Sequence, residues 1–293
     1  MSIERIAILG TGLIGSSVGL ALRSHGFPGS ITGWDPDPHQ LHTALSTGAI
    51  TVIADDPLTA AAESDLILLA GPVFTILENL DRLAPILRED QLVTDVGSVK
   101  GAICNHARGK FNGTNADGSG QPGFLPGHPM AGKEVSGAAN ADASLFLGSV
   151  WLFTPCSLGE ALSPTAHAWR AWVSKFGCRT IDLSPERHDV LCAWISHLPQ
   201  FVSTAMAALL EEEFAANPDL LPIGGRALRE MTRLGASPFS LWRDIAHTNS
   251  EAVAAALHAL EQRLAHLREN LKTPELRDEF EQANRFRLRT PRQ

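Results

Sequence analysis

A chain of 293 residues has room for one large domain or two ordinary ones, and its 44% hydrophobic and 19% charged residues suit a soluble globular protein. A formal net charge of −8 argues against nucleic acid as a partner. No unbroken apolar run approaches the roughly 20 residues of a membrane helix, and no signal peptide precedes the first strand pattern, which predicts a cytoplasmic protein.

In chain order, Arg5 to Leu9 is a short apolar β run that ends at Gly10, and a helix pattern follows from Leu13 to Ser24. Ile31 to Trp34 reads as a second strand ending at Asp35, and His39 to Thr47 as a helix. Asp65 to Ala70 is a continuous apolar strand closed by Gly71-Pro72, and Leu92-Val93-Thr94 is another, closed by Asp95. Strands alternating with helices at this spacing predict an α/β fold with a parallel sheet covered on both faces. Residues 109–123 are rich in Gly, Asn, Ser and Asp and read as a mobile surface loop. Val150 to Phe153 and Arg179 to Asp182 are later strands.

From Pro185 the pattern turns helical. The expected organisation is therefore a dinucleotide-binding domain over 1–184 and an all-α domain over 185–293. Within the second, Val253, Leu257, Leu260, Leu264, Leu267 and Leu271 repeat at 4-3-4-3-4. That is the seam of a helix packed on another, either inside one subunit or between two. The tail after Arg285 is basic and expected to fray. Cys104, Cys156, Cys178 and Cys192 have no metal-binding spacing and read as reduced thiols.

Gly10-Thr11-Gly12-Leu13-Ile14-Gly15 is G-x-G-x-x-G set directly between a strand and a helix. In that context Gly10 allows the tight turn, Gly12 lets the backbone approach a pyrophosphate, and Gly15 lets the helix pack close to the strand. Asp35, 20 residues beyond Gly15, can accept hydrogen bonds from ribose hydroxyls and would repel a 2′-phosphate, favouring NAD over NADP. It also stands in a turn sequence, Asp35-Pro36-Asp37-Pro38, where an aspartate has a local use.

The chain contains no tyrosine, so acid–base work falls to His, Lys or carboxylate. Ser98 and Lys100, in Asp95-Val96-Gly97-Ser98-Val99-Lys100, leave the carboxyl end of a strand, where open α/β sheets bind ligands; an ordinary turn into a helix reads the same. His128, in Gly127-His128-Pro129-Met130-Ala131-Gly132, precedes a proline and lies between glycines, which predicts an extended, lightly covered imidazole. His188 and His197 fall almost on opposite sides of one helix pattern, so at most one of them can face a cleft. Arg233 is either a snorkelling surface residue or a carboxylate-binding one.

Taken together, Gly10 to Gly15, the Asp95–Lys100 segment, Gly127 to Gly132, Ser196-His197-Leu198-Pro199, and Met231-Thr232-Arg233 followed by Leu241-Trp242-Arg243-Asp244 resemble the prephenate and arogenate dehydrogenases of tyrosine biosynthesis. The resemblance covers nearly the whole chain, and the G-H-P-M-A-G and S-H-L-P pieces carry its specificity. It implies that His128 accepts the proton of the substrate ring hydroxyl and that Ser98 supports it. It implies that His197 helps position substrate and nicotinamide, that Arg233 holds a substrate carboxylate, and that Glu134 guards the pocket entrance. Gln200 replaces a second histidine of some relatives and, being neutral, suits a keto acid substrate such as prephenate better than the ammonium of arogenate. The resemblance also implies a homodimer joined through the helical domain.

Two rivals remain at this stage. A 3-hydroxyacid dehydrogenase would need a lysine in its second domain, yet none lies between Lys175 and Lys272. A non-catalytic NAD-sensing protein would need neither His128 nor Arg233.

Overall fold

The computed structural model describes residues 3–155, 162–214 and 219–289. Cys156 and the last four residues lie outside them.

Six parallel strands form the main sheet in the order β3-β2-β1-β4-β5-β6: β1 Arg5–Leu9, β2 Ser30–Trp34, β3 Val52–Ile53, β4 Leu66–Leu69, β5 Leu92–Asp95 and β6 Gly123–Leu125. β1 and β4 are buried along nearly their whole length because helices cover both faces, which is why they read as unbroken apolar runs. One face packs on α1 (Leu13–Ser24), α2 (Pro38–Ser46) and α6 (Pro164–Lys175). The other packs on α3 (Pro57–Ala62), α4 (Val73–Leu83) and α5 (Gly101–Ala107). Asp37, Asp56 and Ser163 cap α2, α3 and α6 by accepting backbone N–H bonds, and each is followed by a proline in the first turn.

The chain order reverses between β1 and β4, so the loops leaving these two strands diverge and open a crevice at their carboxyl ends. The turn after β1 and Gly71-Pro72 after β4 are the lips of that crevice.

The later strands do not extend the main sheet. β7 (Gly127–Pro129) pairs antiparallel with β8 (Val150–Phe153), and β8 pairs parallel with β9 (Arg179–Asp182), giving a separate three-stranded sheet. Trp151, Trp169 and Phe176 fill the space behind it with edge-to-face and tilted ring contacts. The segment expected as an unstructured loop is partly ordered: Asn112 exchanges side-chain bonds with the Phe124 backbone, and Thr114 bridges Gly120.

The helical part begins where Ser184 caps α7 (Pro185–Cys192). α7 continues through a π-helical turn, Ala193–His197, into α8 (Leu198–Phe214). The widened turn falls where Pro199 has no N–H to return to the carbonyl four residues back. The resulting helical run, Pro185–Phe214, is by length and composition apolar enough to cross a membrane, contrary to the reading of the sequence by unbroken runs; only 28% of its most apolar window is buried in this chain. α9 (Leu220–Ile223), α10 (Arg226–Thr232), α11 (Phe239–Thr248), α12 (Ser250–Glu269) and α13 (Glu275–Arg289) follow. The basic tail expected to fray from Arg285 is helical through Arg289. Along the α12 seam Val253 is buried, Leu257, Leu260 and Leu267 are half-covered, and Leu264 and Leu271 are exposed.

Candidate active site

The turn after β1 divides its labour among its glycines. Gly10 has φ +106°, and a Cβ there would lie 2.7 Å from the Ala70 carbonyl carbon. At Gly15 a Cβ would meet the Gly10 carbonyl oxygen at 2.0 Å, so only glycine lets α1 start this close to the strand. Gly12 has nothing within 4 Å of its Cβ position, and it is the N-cap of α1 without a side-chain cap bond. An open backbone at a helix start is what an anionic pyrophosphate requires. Gly12, Leu13 and Ile14 line the cleft, whereas the Thr11 side chain is buried behind the turn.

Asp35 ends β2 beside this turn. Its Oδ2 accepts the Thr11 N–H at 2.8 Å and its Oδ1 the Asp37 N–H at 3.0 Å, so it has the local use that its turn sequence suggests. The half-exposed carboxylate keeps further acceptor sites for ribose hydroxyls. Turn and carboxylate together fit a dinucleotide.

A single cleft of about 540 Å³ runs from Gly12–Ile14 and Ala70–Val73, past Ser98 and His128, to Lys133–Gly137 and to Gln200, Leu234 and Trp242 of the helical part. Ser98 is half-buried on its wall. Lys100 does not reach it. Its ammonium is wholly buried, ion-paired with Asp95 and donating to the Gly127 carbonyl at 2.8 Å, so it fixes the backbone beneath His128 instead of meeting a ligand.

His128 sits on β7 at the cleft wall but is only 7% exposed, not lightly covered as its glycine-flanked sequence suggests. Pairing with β8 and the packing of α7 cover it. Its Nδ1 lies 2.8 Å from His188 Nε2, and His188 Nδ1 lies 2.7 Å from Asp189 Oδ1. Burial, followed by the neighbouring His188, Lys100 and His197, holds the His128 imidazole well below its ordinary pKa, so it is neutral at pH 7. Burial likewise lowers His188, against the opposing pull of Asp189.

Neither His188 nor His197 lines the cleft; both are wholly buried, and both bear electrostatically on His128. In a regular α-helix they would diverge, but the π-helical turn between them rotates His197 back toward the same side. His197 Nδ1 lies 3.3 Å from Asn249 Nδ2, its ring meets Trp242 edge-on, and the Ser98 backbone also bears on the ring. Burial pushes its pKa down to about 4.

Gln200 lines the cleft, but its amide is committed. Nε2 donates to the Leu234 carbonyl at 2.7 Å and to Thr204 Oγ1 at 3.1 Å, and Oε1 accepts from Ser237 Oγ at 3.1 Å. It anchors the segment that carries Arg233 instead of offering a donor to a substrate. Arg233 and Glu134, both partly exposed, form an ion pair across the cleft mouth, joining the helical part to the loop after β7. Asp244, wholly buried in α11, accepts the Phe74 N–H at 3.3 Å and is clasped by Arg243, docking α11 on the start of α4.

Known proteins resemble this arrangement. Residues 18–172 match the family described as prephenate dehydrogenase, nucleotide-binding domain, and residues 184–285 match prephenate dehydrogenase, dimerization domain. The chain is 29% identical over 253 residues to the prephenate dehydrogenase of Bacillus subtilis (strain 168), covering 85% of this chain and 65% of that one. It is 28% identical over 291 residues to the cyclohexadienyl dehydrogenase of Zymomonas mobilis, covering 97% of this chain and 95% of that one. It spans about two thirds of the Bacillus and Lactococcus lactis relatives, 65% and 66% of their lengths. Among solved structures, prephenate dehydrogenase from A. aeolicus in complex with hydroxyphenyl propionate and NAD+ superposes with a TM-score of 0.87 at 29% identity, covering 98% of each chain. With the nucleotide-binding and dimerization halves matched in order along one chain, this protein belongs to the prephenate dehydrogenase family.

Proposed function

We propose that this chain is an NAD-dependent dehydrogenase that oxidises and decarboxylates prephenate to 4-hydroxyphenylpyruvate, as a cytoplasmic homodimer. One observation carries the reading: a buried, neutral histidine stands on the wall of a cleft whose other wall is an uncapped glycine turn fit for a pyrophosphate. The domain division is proposed at 184/185, where the helical run begins.

NAD, when bound, supplies the hydride acceptor. The chain's own residues position the substrate and take its proton. His128 accepts the proton from the ring hydroxyl as the hydride leaves the same carbon, and general-base help of this kind contributes about 10²–10⁴ in rate. The ring carboxylate departs as CO2, its electron pair completing the aromatic ring while the ring oxygen takes its proton back from His128 and becomes the product hydroxyl. Ser98 lines the same cleft and, in this reading, supports His128 and the substrate hydroxyl. Arg233, at the mouth, keeps Glu134 on one Nη and offers its remaining guanidinium N–H donors to a substrate carboxylate.

Prephenate is preferred to arogenate because Glu134 is the single acidic side chain among the described residues lining the cleft, and Arg233 already holds it. Asp189 is spent on backbone N–H groups and His188, so it is not offered to a substrate ammonium, whose unpaired burial would be costly.

The reading is tested by following NADH formation in the near ultraviolet with prephenate and, separately, arogenate. Faster turnover of prephenate with NAD than with NADP at equal concentrations is expected, because of Asp35. A tenfold preference for arogenate, about 1.4 kcal/mol of transition-state discrimination, would reverse the substrate assignment.

For the base, His128→Asn should lower kcat by on the order of 10²-fold or more while NAD affinity holds. A base with a lowered pKa stays unprotonated further into acid. The acid limb of wild-type kcat should therefore lie below pH 6.5, the ordinary imidazole value. A limb at or above that value, or an unchanged kcat in the variant, counts against His128.

Arg233→Ala should instead raise KM for prephenate strongly, by about tenfold or more, since charge-assisted pairs contribute about 1.5–3 kcal/mol. An unmoved KM would leave Arg233 as a rim residue.

The helical part exposes Ile195, Leu209, Leu264, Leu271 and Phe280, and only 28% of the most apolar window of the Pro185–Phe214 run is buried within one chain. A second copy of the chain would cover such surface. Light scattering should report twice the 31.4 kDa chain mass, and a monomer mass across micromolar concentrations would reject the dimer.

A further inference from the structure

Two side chains near His128 touch neither the cleft nor any group the proposed reaction transfers, yet their arrangement admits one pattern of protons. Asp189 Oδ1 accepts the Lys100 N–H at 2.7 Å and Oδ2 accepts the Gly101 N–H at 2.8 Å. A carboxylate whose two oxygens already accept backbone bonds can only accept from a third partner. That partner is His188 Nδ1 at 2.7 Å, which must therefore carry a proton. With His188 lowered in pKa and neutral, its Nε2 holds a lone pair. The lone pair faces His128 Nδ1 at 2.8 Å, so Nδ1 carries the proton and His128 Nε2 the free lone pair. The opposite tautomer of His128 would set two lone pairs against each other in a buried, weakly screening site.

We infer that His188 and Asp189 are positioning residues for the reaction: the Asp189–His188–His128 chain fixes the His128 tautomer that presents an unprotonated Nε2 as the proton acceptor. The inference rests on the proposed role of His128. The proton balance is simple. The substrate O–H bond breaks, a proton joins Nε2, and the Nδ1–H stays bonded to His188, so no proton leaves the buried chain during the step.

Other charged and titratable groups around the pair are accounted for. Lys100 is neutralised by Asp95 on the same segment. Cys192 Sγ, 3.5 Å from His188 Nε2, has its thiol pushed up to about 12 by burial and stays protonated. His197, beyond Asn249, is neutral at pH 7. Asp189 thus acts on His128 through His188, to which both are hydrogen-bonded.

The test uses the full-length protein and three variants. In Asp189→Asn the negative charge behind His188 is lost, and where the amide nitrogen takes the place of Oδ1 it donates to His188 Nδ1, which reverses the chain and leaves a proton on His128 Nε2. Replacing the carboxylate of a hydrolase triad by its amide imposes the wrong tautomer in the same way. Asp189→Asn should lower kcat by on the order of 10²-fold or more, with KM for prephenate and Kd for NAD within about twofold, and move the acid limb to lower pH. His188→Gln, whose side-chain oxygen can still accept from His128 Nδ1–H, should retain at least about tenfold more kcat than His188→Leu. Equal kcat in the Gln and Leu variants, or an unmoved acid limb in Asp189→Asn, overturns the inference. A purely structural role would lower thermal stability and raise both KM and Kd without moving that limb.

A readout free of turnover separates this inference from the proposed function. Diethyl pyrocarbonate acylates only unprotonated imidazole nitrogen, and mass spectrometry locates the adduct. His128 should react more slowly in Asp189→Asn than in the wild-type protein at the same pH. If prephenate is not turned over but this difference holds, the function fails and the positioning chain stands. Equal rates of modification sink the chain whatever the substrate.

Discussion

The structure depends on one buried carboxylate. Asp189 closes the start of α5 by accepting the Lys100 and Gly101 N–H groups, so α7 of the helical part is bonded directly to the dinucleotide-binding part. The same carboxylate holds His188, and through it the ring on β7. A hydrogen bond to a charged group contributes about 1.5–3 kcal/mol, and leaving one partner buried without the other costs more. The join between the two parts and the protonation of the base are therefore one structural commitment. Asn249 adds to it by donating to the Asp189 carbonyl at 3.0 Å while facing His197.

Around this join the fold concentrates the chemistry at a topological switch point. Reversal of strand order between β1 and β4 opens the crevice without any special loop. The glycine turn supplies open backbone on one side; β7, set outside the main sheet, supplies His128 on the other. A buried ion pair, Lys100 with Asp95, lies beneath and ties β5 to the Gly127 carbonyl. Pairs of this kind add little net stability once desolvation is counted, but loss of one member leaves an unpaired buried charge. Its evident effect is to fix where the backbone bearing His128 runs. At the mouth, the Arg233–Glu134 pair spans the two parts in partial contact with solvent, so it contributes little to stability and serves to keep the two charges together at the entrance.

Much of this was legible in the sequence. The glycine turn, with its flanking strand and helix, depends on local geometry that three glycines and an apolar run specify almost completely. The α/β alternation followed from uninterrupted apolar strands such as Leu66–Leu69, which only a doubly covered sheet produces. What escaped were features set by distant contacts. Lys100 reads as a loop cation and is instead buried under Asp95, because a charge 5 residues away in the chain folds back onto it. His188 and His197 read as opposed because a uniform 100° step was assumed; Pro199 was the signal that the helix would widen before it. Gln200 reads as a neutral residue on the substrate side, yet the segment from Leu234 to Ser237, far along the chain, uses up its amide. The second sheet was hidden for the same reason: Val150–Phe153 looks like any core strand until its partners, Gly127–Pro129 and Arg179–Asp182, are known.

The central claim is that the imidazole on the cleft wall is neutral, with its proton on the nitrogen that faces His188. Histidine-selective 15N NMR of the wild-type protein, assigned by loss of one signal in His128→Asn, tests it most directly. The account predicts one protonated and one unprotonated ring nitrogen on His128 at pH 7, Nδ1 being the protonated one, and no imidazolium until the pH is below the 6.5 of an ordinary histidine. An imidazolium signature at pH 7, or a proton resident on Nε2, would contradict it.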